Sequence, residues 1–382
     1  MKKFLQKLIL TALPLLLLFI VVETYWWYNN ELVSIEETLT IQEKTSARSY
    51  YLRKDFSSNL NTYKVTAINK FKPEILVIGT SRVLEFRNIM FAPYEDKFYT
   101  AGASVRNIYD IQAYIDHFKK GNLHKPKLLI IGLDFWLLKK VGQKEDTWLK
   151  KKLFKDDVVS ITGHQNAFKY LVKNWALRKD PPSLVDENLG IGGLGKTGFG
   201  YRKDGSVNYK NFVEEYVKSP QYVDRETPPI IERIKNNISP FNLPFEIDLI
   251  KVEVLLKSIK EAQKDNIEVA VFFPPFSNEC LNELQNSPQH SKWWHYYNTT
   301  LKKEIKKLSV DMIDCASPGS IGLDDRYMID GYHPSEVLVT HAFLNRLKQG
   351  SLNSKILQGI STDSLQLLLN GEETLPISFM QE

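Results

Sequence analysis

The sequence predicts an α/β fold: three layers, α/β/α, built on a mainly parallel sheet, with an added N-terminal transmembrane helix. Three observations carry this expectation. Short apolar, largely β-branched runs recur at residues 75–78, 127–131, 267–273 and 310–313. Segments with helical apolar spacing alternate with them, the order expected of strand–helix units whose strands run parallel. Several runs end at a glycine, as at Gly79, Gly102 and Gly132. Such turns lie at the carboxyl ends of strands, which is where open α/β sheets bind ligands.

The chain begins with Lys2, Lys3 and Lys7, ahead of an uncharged apolar stretch at residues 8–22. Tyr25-Trp26-Trp27-Tyr28 follows. Counted through Tyr28, the segment reaches the roughly 20 residues that span a bilayer. Lysines first and aromatics last suit a cytoplasmic start and an outer interface. A cleaved signal peptide is the rival, but no small-x-small cleavage site follows Val22. The expectation is a single-pass signal anchor at residues 1–30 with the rest extracytoplasmic, in the periplasm or at the cell surface. Residues 31–71 read as a polar stem, with a helix at about 59–71 leading to the first strand.

The main domain is expected over residues 72–348. Its first strand, 75–78, starts after Pro73 and runs into Gly79-Thr80-Ser81-Arg82. A second, Phe98-Tyr99-Thr100-Ala101, ends at Gly102 before a helix at about 107–119. The third ends Gly132-Leu133-Asp134. From about 139 to 244 the rhythm breaks, and this reads as a large insertion over the site. Within it, residues 190–197 spell GIGGLGKT, which fits a phosphate-loop string. Its flanks supply neither the preceding strand nor the following helix that such a loop needs, so no nucleotide binding is expected. Asp204-Gly205 signals a hairpin turn. The rhythm resumes with a helix at 247–262, the strand at 267–273, an amphipathic stretch at 292–307 and a closing helix at 336–348. Trp293, Trp294, Tyr296 and Tyr297 are either a sugar-stacking face or core. Residues 349–382 read as a tail with one helix near 363–369.

Composition sets bounds. The 382 residues are 43% hydrophobic and 25% charged, which suits a globular chain with a substantial core. The net charge of +5 is spread along the chain and gives no argument for nucleic acid. Cys280 and Cys315 are the two cysteines, either bridged or free. No Cys/His spacing suits a metal, and no cofactor is expected.

The chemistry concentrates in two short stretches. Ser81 stands in a turn after the first strand, a suitable place for a nucleophile. Asp330-Gly331-Tyr332-His333-Pro334 supplies a general base in His333 and an acid, Asp330, to orient it. Asp325 is the alternative acid. Arg82 beside the nucleophile either holds an anionic substrate or forms a salt bridge that fixes the turn.

Gly-x-Ser after the first strand, with Asp-x-x-His near the C-terminus, resembles the SGNH (GDSL-like) hydrolase superfamily. It is similar to the membrane-anchored branch linked to envelope-polymer O-acylation, such as alginate acetylation and lipoteichoic-acid D-alanylation proteins. The resemblance covers residues 72–348. It implies a serine acyltransferase or esterase acting on O-acyl, chiefly acetyl, groups of an envelope polysaccharide. It also implies a multi-span membrane acyltransferase as partner. Ser81 and Gly102 would donate backbone N–H groups to an oxyanion, unless Gly102 serves only the strand-to-helix turn, and Arg82 and Asp134 would face the substrate. That superfamily usually carries a donating asparagine where this chain has Asp134, and an ionised aspartate cannot donate. A non-catalytic polysaccharide-binding or assembly protein of the same fold is the alternative.

Overall fold

The computed structural model describes residues 1–28, 34–44, 49–50, 60–139, 199–219, 222–244, 246–371 and 374–379. GIGGLGKT and most of the expected insertion lie outside these residues. The chain divides into two units, Met1–Asn59 with Lys155–Lys203, and Leu60–Phe154 with Asp204–Glu382.

In the first unit, Lys2–Tyr28 is one helix. Its Lys2–Thr24 portion is long and apolar enough to cross a membrane, with a mean hydropathy of 2.4 and no burial within the chain. A second helix, Ile35–Lys44, starts at a capping box. The Ser34 hydroxyl accepts from Glu37 N, and the Glu37 carboxylate accepts from Ser34 N. Ser49–Tyr50 pairs antiparallel with Phe199–Arg202.

The second unit holds the predicted sheet. Its strands are β1 (Ile75–Ile78), β2 (Phe98–Ala101), β3 (Leu128–Gly132), β4 (Glu268–Phe273) and β5 (Asp311–Asp314). They lie in the order β2-β1-β3-β4-β5, and every pairing is parallel. The register sets Ile78 beside Ala101 and Ile131, so the strands finish together along one edge. The order reverses at β1, and the crevice between β1 and β3 is the place where such sheets bind ligands.

All four residues of β1 are fully buried, although they point alternately to opposite faces. Burial on both faces is why the run is continuously apolar rather than alternating. Ile75 and Val77 join a core cluster with Phe86, Phe91, Phe272 and Phe343. Phe343 lies on the Glu336–Lys348 helix, whose N-terminus is capped by Ser335 through Leu338 N. Gly132 at the end of β3 permits a close approach, because a Cβ there would overlap the Val83 side chain. The turn carrying Ser81 is thereby pressed against the adjacent strand end.

Two expected boundaries move. The Leu60–Phe71 helix belongs to this unit rather than to a stem, with Tyr63, Val65 and Ile68 buried. Residues 349–379 are no loose tail: Leu357, Ile360, Leu365, Ile377 and Phe379 are all buried in the main cluster. The expected turn at Asp204 is docked rather than free. Asp204 O accepts from Thr100 N of β2 at 2.8 Å, and the buried Lys64 ammonium donates to Thr100 O and Gly205 O. That contact covers part of an edge strand that would otherwise be open to pairing.

Cys280 and Cys315 are free and buried, and burial pushes both thiols up to about 12. Of the four aromatics singled out above, Trp293, Trp294 and Tyr297 are buried. Trp294 and Tyr297 pack on each other and on Phe135. They serve as core, so the sugar-stacking reading does not hold for them.

Candidate active site

Ser81 opens a short 3-10 turn directly after β1, with Thr80 as its cap. The first N–H groups of a helical turn have no intrahelical partner. Thr80 answers one of them, its hydroxyl accepting from Arg82 N, while its carbonyl accepts the turn's own first bond from Val83 N. Ser81 N has no hydrogen-bond partner among the described residues.

The turn faces a loop 252 residues away in sequence. Ser81 Oγ lies 2.8 Å from His333 Nε2. His333 Nδ1 lies 2.7 Å from Asp330 Oδ2. The other carboxylate oxygen, Oδ1, accepts from Tyr332 N at 2.8 Å and His333 N at 2.7 Å. The carboxylate thus holds both the ring and the backbone that carries it. The three residues predicted to form a triad are together, in the hydrogen-bonded order that activates a serine hydroxyl. Asp325 plays no part. It accepts from Asn278 N and Glu279 N at the start of the Asn278–Asn286 helix.

Burial alone would push His333 down and Asp330 up. Their mutual charge attraction and hydrogen bond outweigh burial, so His333 is raised and Asp330 lowered. Glu85 raises His333 further, while Arg82 opposes the rise. A histidine can serve as a general base only when neutral, so a rate that depends on His333 in that role would be lost as pH falls through its raised value. The acidic limb of kcat/KM is therefore expected above the ordinary 6.5. Asp330→Asn removes the carboxylate charge that raises His333, so the limb should move to lower pH as the rate drops. A pH–rate profile of both proteins checks this, and an unmoved limb would contradict it.

Three other expectations meet a different arrangement. Arg82 does not face substrate. Its side chain is 1% exposed, and Nη1 lies 2.5 Å from Asp134 Oδ1. Asp134 is equally buried and accepts from Thr80 Oγ1 at 2.5 Å through Oδ2. The salt-bridge reading of Arg82 is the one realised, and Asp134 is its partner rather than a substrate ligand. Gly102 N is 3.3 Å from Thr100 Oγ1, so the expected oxyanion donor has an internal partner. The absence of a side chain at Gly102 has a packing reason, since a Cβ there would sit 2.8 Å from Leu84 Cδ2. Ser81 N remains as the expected oxyanion donor without a partner.

Sequence reasoning missed Thr80, Tyr297 and Tyr332. Tyr297 Oη donates to Leu133 O, beside Asp134. The Tyr332 ring lies 4.2 Å from that of His333 and edge-on to Trp136 and Phe241. Tyr332 was legible as a neighbour of His333; Tyr297 stood out only as one of an aromatic cluster, with nothing in the sequence to place it beside Leu133. Among the described residues no group of acidic, His or Cys side chains could hold a metal ion. No family model, curated protein or solved structure matches this chain.

Proposed function

We propose that this chain is a membrane-tethered serine acyltransferase or esterase of SGNH type, acting on O-acyl groups of an envelope polysaccharide. The observation that carries the reading is the continuous Ser81–His333–Asp330 hydrogen-bonded relay at the carboxyl edge of a parallel sheet. In this reading Ser81 Oγ attacks the acyl carbonyl, and its proton passes to His333 Nε2. His333 then returns the proton to the departing atom, a sugar oxygen in an esterase and the heteroatom of the acyl donor in a transferase, leaving an acyl-serine. A sugar hydroxyl in a transferase, or water in an esterase, then attacks the acyl-serine; His333 Nε2 takes its proton and gives it back to Ser81 Oγ as the acyl–serine bond breaks. Ser81 N donates to the oxyanion.

The remaining proposals follow from the resemblance and the N-terminal helix. The fold is read as the three-layer α/β/α arrangement of that superfamily. The anchor is read with its lysines in the cytoplasm and the catalytic unit outside, where a multi-span acyltransferase supplies acyl groups. Protease protection in sealed cells tests the orientation: digestion of residues beyond the anchor from outside is expected, and full protection would contradict it.

Full-length protein in detergent, given an O-acetylated polysaccharide with and without an unacetylated acceptor, tests the reaction. Acetyl transfer to the acceptor in excess of acetate release is the expected result. A non-catalytic binding or assembly role is the second reading. It is favoured by one observation, that Gly102 N, an expected oxyanion donor, has an internal partner, while Asp134 stands in place of the superfamily's donating asparagine and is tied to Arg82. Absence of both transfer and release would select it.

A further inference from the structure

Arg82 joins several parts of the site. Its Nη1 holds Asp134, which follows β3, and its Nη2 donates to Pro275 O, which follows β4. Its Nε donates to Tyr332 O at 2.5 Å. The guanidinium plane is enclosed by Phe276, 4.2 Å from its ring centroid, and by Trp136 at 5.2 Å. Arg82 itself stands in the turn that follows β1, next to Ser81. Three strand ends and the histidine loop therefore meet on one buried group.

The contact with Tyr332 O has a particular consequence. That carbonyl and His333 N belong to the same peptide unit. His333 N donates to Asp330 Oδ1 at 2.7 Å while the carbonyl accepts from Arg82. The peptide is gripped from both ends, by a cation at its oxygen and an anion at its hydrogen. Hydrogen bonds linked through one peptide polarise each other and strengthen. The planar fork of arginine suits this task, because it directs several donors at fixed angles. Lysine has one nitrogen and cannot reach all three acceptors with the same geometry.

We propose that Arg82 is a positioning residue: it fixes the Tyr332–His333 peptide, and so sets the register of the His333 ring against Ser81 Oγ. As a role within catalysis this rests on the acyl-transfer reading; as a statement about the position of His333 it does not. Buried as it is, Arg82 acts on the rate of the chemical step and not on substrate affinity.

The test uses full-length Arg82→Lys and the double variant R82M/D134N, which leaves no buried carboxylate without its cation. Melting temperature establishes that each is folded. Two readouts follow. One is the crystal structure or ring-nitrogen NMR of His333, which asks whether the Ser81–His333 bond persists. The other is acyl transfer, with kcat and KM taken separately. The expected result is a displaced His333 ring in both variants, with kcat lowered about a hundredfold, the scale of a 1 Å misplacement, and KM unchanged. Loss of the Arg82 charge in the double variant should also move the acidic limb upward, since that charge opposes protonation of His333.

A folded Arg82→Lys that keeps the Ser81–His333 bond would overturn the proposal. A raised KM with kcat preserved would overturn it too, and would return Arg82 to substrate binding. If the wild-type protein shows no acyl chemistry, the functional reading fails, while the His333 geometry still decides the positioning role. If neither variant folds, a role confined to positioning is wrong and Arg82 is part of the folding core.

Discussion

Ser81→Ala is expected to remove nearly all acyl transfer while leaving the fold intact. Among the described residues the Ser81 hydroxyl is the group hydrogen-bonded to His333 Nε2, and in the proposed reaction it carries the acyl group. General-base assistance alone is worth about 10²- to 10⁴-fold, so the loss should stand far outside assay error. His333→Ala should be as severe. The double variant should be little worse than either, because residues that act as one unit lose their effect together. Asp330→Asn should be milder, since an amide can still hold the ring. It will also weaken the hold on Tyr332 N and His333 N, so its melting temperature has to be read beside its rate. A Ser81→Ala protein with full biological activity would establish a scaffold.

Deletion of residues 350–382 is expected to unfold the second unit. It removes Leu357, Ile360, Leu365, Ile377 and Phe379 from the core. Burying one such side chain contributes about 1.5–3 kcal/mol, so together they match the roughly 5–15 kcal/mol by which a domain is stable. Polar groups would be stranded as well. Glu336 Oε1 would lose Ser378 Oγ and Phe379 N. Asp311, fully buried, would lose Asn353 N and Ser354 N and keep Arg346. Thermal unfolding of the truncated and full chains checks this. A truncated protein melting within a few degrees of the full chain would contradict it.

The sequence made the sheet legible because its strands are buried on both faces. A continuous apolar run such as 75–78, closed by a proline and a glycine, has few other uses. Ser81, His333 and Asp330 were legible because each sits in a short stretch whose local chemistry already sets its direction. The Arg82–Asp134 pair was only half visible. Each residue stood out beside its strand end, but that they face each other depends on the order in which strands are laid side by side. Gly102 was read as an oxyanion donor or as a glycine for the strand-to-helix turn, while the nearer reason for a glycine is Leu84, 18 residues earlier. The tail misled because its buried residues are spread over short helices and a loop, with too little length for a periodic signal. Trp293, Trp294 and Tyr297 cluster in sequence as a binding face would, and only their packing identifies them as core.

The central claim is that Ser81 is a nucleophile activated by His333. The most direct measurement is reaction of the full-length protein with a fluorophosphonate, followed by intact mass and peptide mapping. One adduct is expected, on Ser81, formed faster as pH rises through the raised His333 value and abolished in His333→Ala. No adduct, or one that persists in Ser81→Ala, would contradict it.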